Sequence, residues 1–88
     1  MPTISMFYGI IIRMYFAPKE HNPPHIHVYY NEYKISFNID TMEFMKGALP
    51  ARQKKLVQAW AELHKEELLA DWVLAMNGET VYKITPLI

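Results

Sequence analysis

The chain has no cysteine. That absence removes disulfides, thiolate metal sites and a cysteine nucleophile, and it fits a reducing, cytoplasmic setting. Net charge is also absent, because nine Lys+Arg balance nine Asp+Glu. A nucleic-acid binder of the purely electrostatic kind is basic, so any such contact here must come from a local patch. Four histidines, which titrate near neutrality, can add charge to one. No apolar run approaches the ~20 residues of a membrane helix; residues 10–16 (IIIRMYF) are interrupted by Arg13. The N-terminus lacks the charged region and small-residue cleavage site of a secretory signal. Repeats and low-complexity segments are missing, and nothing in the sequence asks for a cofactor.

What is present is a chain of 88 residues with 51% hydrophobic and 20% charged content. That composition specifies one folded domain, residues 1–88, with a single modest core. Residues 3–8 (TISMFY) are β-branched and aromatic and read as a strand. Gly9 breaks the run, and residues 10–16 read as a second strand. Ile10, Ile12, Met14 and Phe16 share one face of it, and Ile11, Arg13 and Tyr15 share the other. Residues 17–24 (APKEHNPP) hold three of the six prolines and read as a loop.

Residues 25–30 (HIHVYY) and 33–39 (YKISFNI) alternate on either side of Asn31-Glu32, the pattern of a hairpin with a two-residue turn. Pairing Tyr30 with Tyr33 sets Val28 against Ile35 and Ile26 against Phe37 on one apolar face. The other face then pairs Tyr29 with Lys34, His27 with Ser36 and His25 with Asn38. A one-residue slip would invert every side chain. Residues 42–46 predict a short strand before Gly47. Pro50 suits a first helical position. Leu56, Val57, Trp60, Leu63, His64, Leu68, Trp72 and Ala75 recur at helical spacing. The spacing predicts one long bent helix or two helices meeting near His64, stopped at Asn77-Gly78. Residues 81–88 read as a short strand or an extended arm. The fold class is α+β in two layers, an antiparallel sheet of four to five strands packed on the helical segment.

The chemistry gathers in the stretch EHNPPHIHVYY. Alternation puts His25, His27 and Tyr29 on the polar sheet face with Lys34, and Arg13 and Tyr15 join them if the second strand turns its apolar side inward. Sheets that bind RNA stack bases on aromatic rings and hold phosphates with Arg or Lys. Histidines there can divide the acid and base roles of RNA cleavage. Two other readings remain open. The H-x-H spacing puts two rings on one side of a strand and suits two ligands of one metal, with His21 or Glu20 as a third. The same face can also serve as a non-enzymatic protein-interaction surface or a homo-oligomer contact. His64 reads as a half-buried, hydrogen-bonded histidine, and Trp60 and Trp72 as core.

The segments MPTISMFYGIIIRMYF, EHNPPHIHVYY and GALPARQKKLVQAWAELHKEELLADW, with a final I-x-P-L, resemble the bacterial domain-of-unknown-function family 4160. His21, Asn22, Pro23, Pro24, His25 and His27 match its central segment; Asn31-Glu32 departs from the glycine its members often carry in the hairpin turn. The resemblance implies a cytoplasmic protein of the DhiT-like type, the toxin component of a type II toxin–antitoxin pair, with a cognate antitoxin as partner; RNA as target follows by analogy with other small toxins. The residues of the polar face and its entry loop make His21, His25 and His27 the catalytic candidates, with Arg13, Tyr15, Tyr29 and Lys34 as binding residues.

Overall fold

Alternating β-branched and aromatic residues build strands, and the computed structural model, which describes residues 2–17 and 22–87, forms five from them. They are β1 (Thr3–Phe7), β2 (Ile10–Arg13), β3 (His25–Tyr30), β4 (Tyr33–Asn38) and β5 (Glu43–Gly47). The strands pair antiparallel in chain order, so β3 is central. The β3–β4 register is the expected one throughout, from Tyr30 opposite Tyr33 to His25 opposite Asn38. Asn31 makes the turn at φ 51. Asparagine reaches that left-handed conformation more readily than most residues, which is why the turn closes without a glycine.

Four strands differ from the sequence reading at their limits, β1 and β4 by ending one residue early, at Phe7 and Asn38, and β2 and β5 by more. The β2 ladder ends at Arg13 rather than Phe16. Alternation nevertheless continues in burial, since Met14 is fully buried and its N–H donates to Pro2 O at 3.2 Å. The last strand starts one residue late because Met42 sits in a turn at φ 61, donating its N–H to Asn38 O. It runs through Gly47, where φ is +126 and the backbone lies against Lys34 O.

The helical segment is two helices, α1 (Ala51–Leu63) and α2 (Lys65–Met76). A straight helix from 51 to 76 would be roughly 39 Å long, against 33 Å for the longest extent of the whole molecule. The break at His64, with φ −119 and ψ 23, lets both helices return to the sheet. Pro50 lies one residue before the helix, with its carbonyl accepting the Lys54 N–H. Val57, Trp60, Ala61, Leu68, Trp72 and Ala75 join Ile4, Ile10, Ile12, Ile26, Val28, Ile35 and Phe37 in one core. Both helices therefore cover the same sheet face, and the predicted α+β two-layer architecture is what forms.

Beyond Asn77 the chain runs as an extended arm that forms no strand. Three bonds fasten it: Tyr82 N–H to Asp71 Oδ1 at 3.0 Å, Ile84 N–H to Ile4 O at 2.8 Å, and Trp60 Nε1–H to Thr85 O at 2.8 Å. Ile84 is buried at its centre. Among the described residues no helix is long and apolar enough to cross a membrane.

Candidate functional site

With Ile26 and Val28 buried in the core, alternation along β3 turns His25, His27 and Tyr29 to the outer face. Of the described helices, α2 reaches the edge of this face through Trp72. The flanking registers bring the neighbours in: Arg13 of β2 lies opposite His27, and Lys34 of β4 lies opposite Tyr29. Tyr15, just past β2, leans along the face. Its ring centroid is 4.6 Å from that of His27, and its hydroxyl is 2.6 Å from the Tyr29 hydroxyl. The guanidinium carbon of Arg13 is 5.1 Å from the Tyr29 ring centre, and Lys34 Nζ is 5.7 Å from it. Arg13 Nε also points at Thr3 Oγ1, 3.4 Å away. Six of the seven predicted site residues thus form one continuous cluster. The seventh, His21, lies outside the described residues, as does Glu20.

His25 and His27 are neighbours, with ring centroids 5.1 Å apart. His25 Nδ1 is 2.8 Å from Pro23 O. A carbonyl only accepts, so Nδ1 carries the hydrogen and, in the neutral ring, Nε2 carries the lone pair. Second-sphere bonds of this kind set the tautomer of a working histidine. The Asn22–Pro23 peptide is cis. His27 is set deeper, with its Nδ1 buried. The two imidazoles therefore differ: His25 is oriented by backbone, and His27 is packed between aromatic rings.

One member of the cluster escaped the sequence reading. Trp72 of α2 is buried, as a core residue should be, but its ring centroid lies 5.1 Å from that of His25. Its Nε1–H donates to Asn22 Oδ1 at 3.3 Å. The core helix thereby supports the loop that leads into the histidine strand. Trp72 has no sequence signal beyond its place in an apolar helical stripe, because the contact depends on where the break at His64 sends α2.

Other polar residues of the face have different jobs. Asn38 Oδ1 accepts the N–H groups of Asp40 and Thr41, and so shapes the turn after β4. His64 behaves as expected: it is half-buried, with Nδ1 2.6 Å from Glu67 Oε1. Of the basic residues near the start of α1, Lys54 lies over the Phe44 ring. Among the described residues no three His, Asp or Glu side chains converge as a metal would need. Neither Arg13 nor Lys34 pairs with a carboxylate among them.

A family model described as Domain of unknown function (DUF4160) matches residues 9–73. The chain belongs to the DUF4160 family. All six described cluster residues and Trp72 fall inside the DUF4160 match, whereas β1 and the C-terminal arm fall outside it. No curated protein and no solved structure matches the chain.

Proposed function

We propose that this DUF4160 protein cleaves RNA on the outer face of its sheet, as the toxin component of a cytoplasmic type II toxin–antitoxin pair. The observation that carries the reading is His25, its Nδ1 held on Pro23 O, standing 5.1 Å from His27 beside Arg13. The tautomer argued above makes neutral His25 the base. Its Nε2 takes the proton of a ribose 2′-hydroxyl, the 2′-oxygen bonds to the adjacent phosphorus, and the 5′-oxygen of the next nucleotide leaves. His27, protonated, gives that oxygen its proton. The products are a 2′,3′-cyclic phosphate and a 5′-hydroxyl. Arg13 and Lys34 offset the charge that builds on the phosphoryl oxygens. His21, a further candidate by its place in the same motif, is assigned no step. The test is incubation of RNA with wild type, His25→Ala and His27→Ala proteins. Equal activity in all three sinks the mechanism.

A partner-binding role is supported by a separate observation. Leu63, Val73 and Tyr82 are 71%, 58% and 72% exposed on the helices and arm, apolar area that a partner docking there would remove from water. In the toxin reading these residues would meet the antitoxin or a second copy. In the non-enzymatic alternative it is the whole function. Expression with and without both histidines separates them: growth arrest that survives their loss assigns the effect to binding alone.

A further inference from the structure

We infer that the face takes a single-stranded segment with one base seated on the ring of Tyr29 and with Arg13 and Lys34 holding phosphates on either side. This rests on the RNA reading and names its substrate class. Three observations support it. The first is that Tyr29 is the ring of the cluster with a cation from each neighbouring strand, Arg13 at 5.1 Å and Lys34 at 5.7 Å. Neither cation has a carboxylate partner among the described residues, so a phosphate would supply a counter-charge that those residues do not. The second is that the 2.6 Å bond to Tyr15 fixes where the phenol sits, so little is lost in ordering it when a base arrives. The third is spacing. Tyr29 stands two residues from His27 on the same strand, ~6–7 Å along it, so a seated base lies beside the histidine pair rather than over it.

The geometry also limits the number of seats. Trp72 is buried and has no face to offer, and the ring of Tyr15 is set edge-on against His27. Bases inside a duplex already stack on each other, so a lone ring seat admits only an unpaired base. Every base has a π-face, so the seat is tolerant of sequence. Lys34 is exposed on a flexible stem, whereas Arg13 is drawn toward Thr3. Lys34 is therefore the cation that swings off the ring onto phosphate when a base stacks.

The test is fluorescence anisotropy with a labelled eight-nucleotide RNA made uncleavable by 2′-O-methyl groups, alone and annealed to its complement. The single strand should bind and the duplex should bind at least tenfold more weakly. Tyr29→Leu should lose roughly tenfold or more in affinity, and Tyr29→Phe, which keeps the ring and gives up only the Tyr15 bond, should keep most of it. Both variants preserve an apolar side chain of useful size, and thermal melting checks that each is folded. Arg13→Gln and Lys34→Gln should each reduce the slope of log affinity against log salt by about 0.7. Equal binding of strand and duplex, or Tyr29→Leu binding like Tyr29→Phe, overturns the seat. The unmodified strand is assayed for cleavage in parallel. Ring-dependent binding without cleavage keeps the seat and removes the histidine chemistry. Cleavage with no dependence on the Tyr29 ring does the reverse.

Discussion

The rings of Trp72 and His25 stand 5.1 Å apart, one from the second helix and the other from the central strand. The contact joins the core to the outer face, because Trp72 is buried while its indole N–H reaches Asn22 beside the histidine motif. Stability and site geometry are coupled there. Trp72→Phe should cost about 0.5–1.5 kcal/mol, mainly for the hydrogen bond, and Trp72→Ala about 3–5 kcal/mol. Urea denaturation measures both. If Trp72→Ala proves no worse than Trp72→Phe, the ring does not brace the core.

Asp71 gives the fold a pH dependence of unusual sign for a carboxylate. It is buried, and burial raises its pKa; the Tyr82 N–H bond opposes the rise and the nearby Glu67 charge adds to it. The folded state therefore holds the proton more tightly than the unfolded chain, whose value is about 3.9. The stabilisation is fully present below that value and is lost as pH rises through the folded one. Asp71→Asn removes this slope and can still accept from Tyr82 through Oδ1. It should match or exceed wild type in denaturant midpoint at pH 7, with the advantage shrinking toward pH 4. A clear loss at pH 7 would contradict the account.

Gly47 predicts a sharp intolerance. Its φ of +126 is a conformation that side-chain-bearing residues rarely adopt, and an added Cβ would strike Lys34 O and Ile35. Backbone strain alone costs about 1–3 kcal/mol, and backbone atoms cannot step aside as a flexible side chain can. Gly47→Ala should lower Tm well beyond Gly78→Ala, since a Cβ at Gly78 meets no atom within 4 Å although φ there is +71. Equal melting of the two variants would refute the close approach.

The C-terminal arm should act as part of the core. Ile84 is 3% exposed and its N–H bonds to Ile4 O. Ile84→Ala should cost about 2–5 kcal/mol, a large fraction of the stability of a domain this small. A loss below 0.5 kcal/mol by urea denaturation would show the arm to be dispensable.

The parts of this fold that were legible in the sequence are those where one period governs. From His25 to Asn38 strict alternation leaves a single register that buries Ile26, Val28, Ile35 and Phe37 together, and that register forms. The cluster followed from it, because once the core face is known the outer face is too. The helix break was less legible. Nothing between Ala51 and Met76 is Gly or Pro, so local propensity permits one helix or two. The choice is tertiary: Trp60 and Leu68 must both reach a sheet shorter than an unbroken helix. The Trp72–His25 contact was out of reach for the same reason, and the limits of β2 and β5 were set by where the ladder stops at Arg13 and by the turn at Met42 rather than by side-chain pattern.

The measurement that bears most directly on the central claim is cleavage of a single-stranded RNA by wild type and His25→Ala protein, with the product ends identified. The account predicts 2′,3′-cyclic phosphate and 5′-hydroxyl ends from wild type and a fall of about 10²-fold or more for His25→Ala. Cleavage that survives the substitution, or a folded wild type that leaves RNA intact, would contradict it.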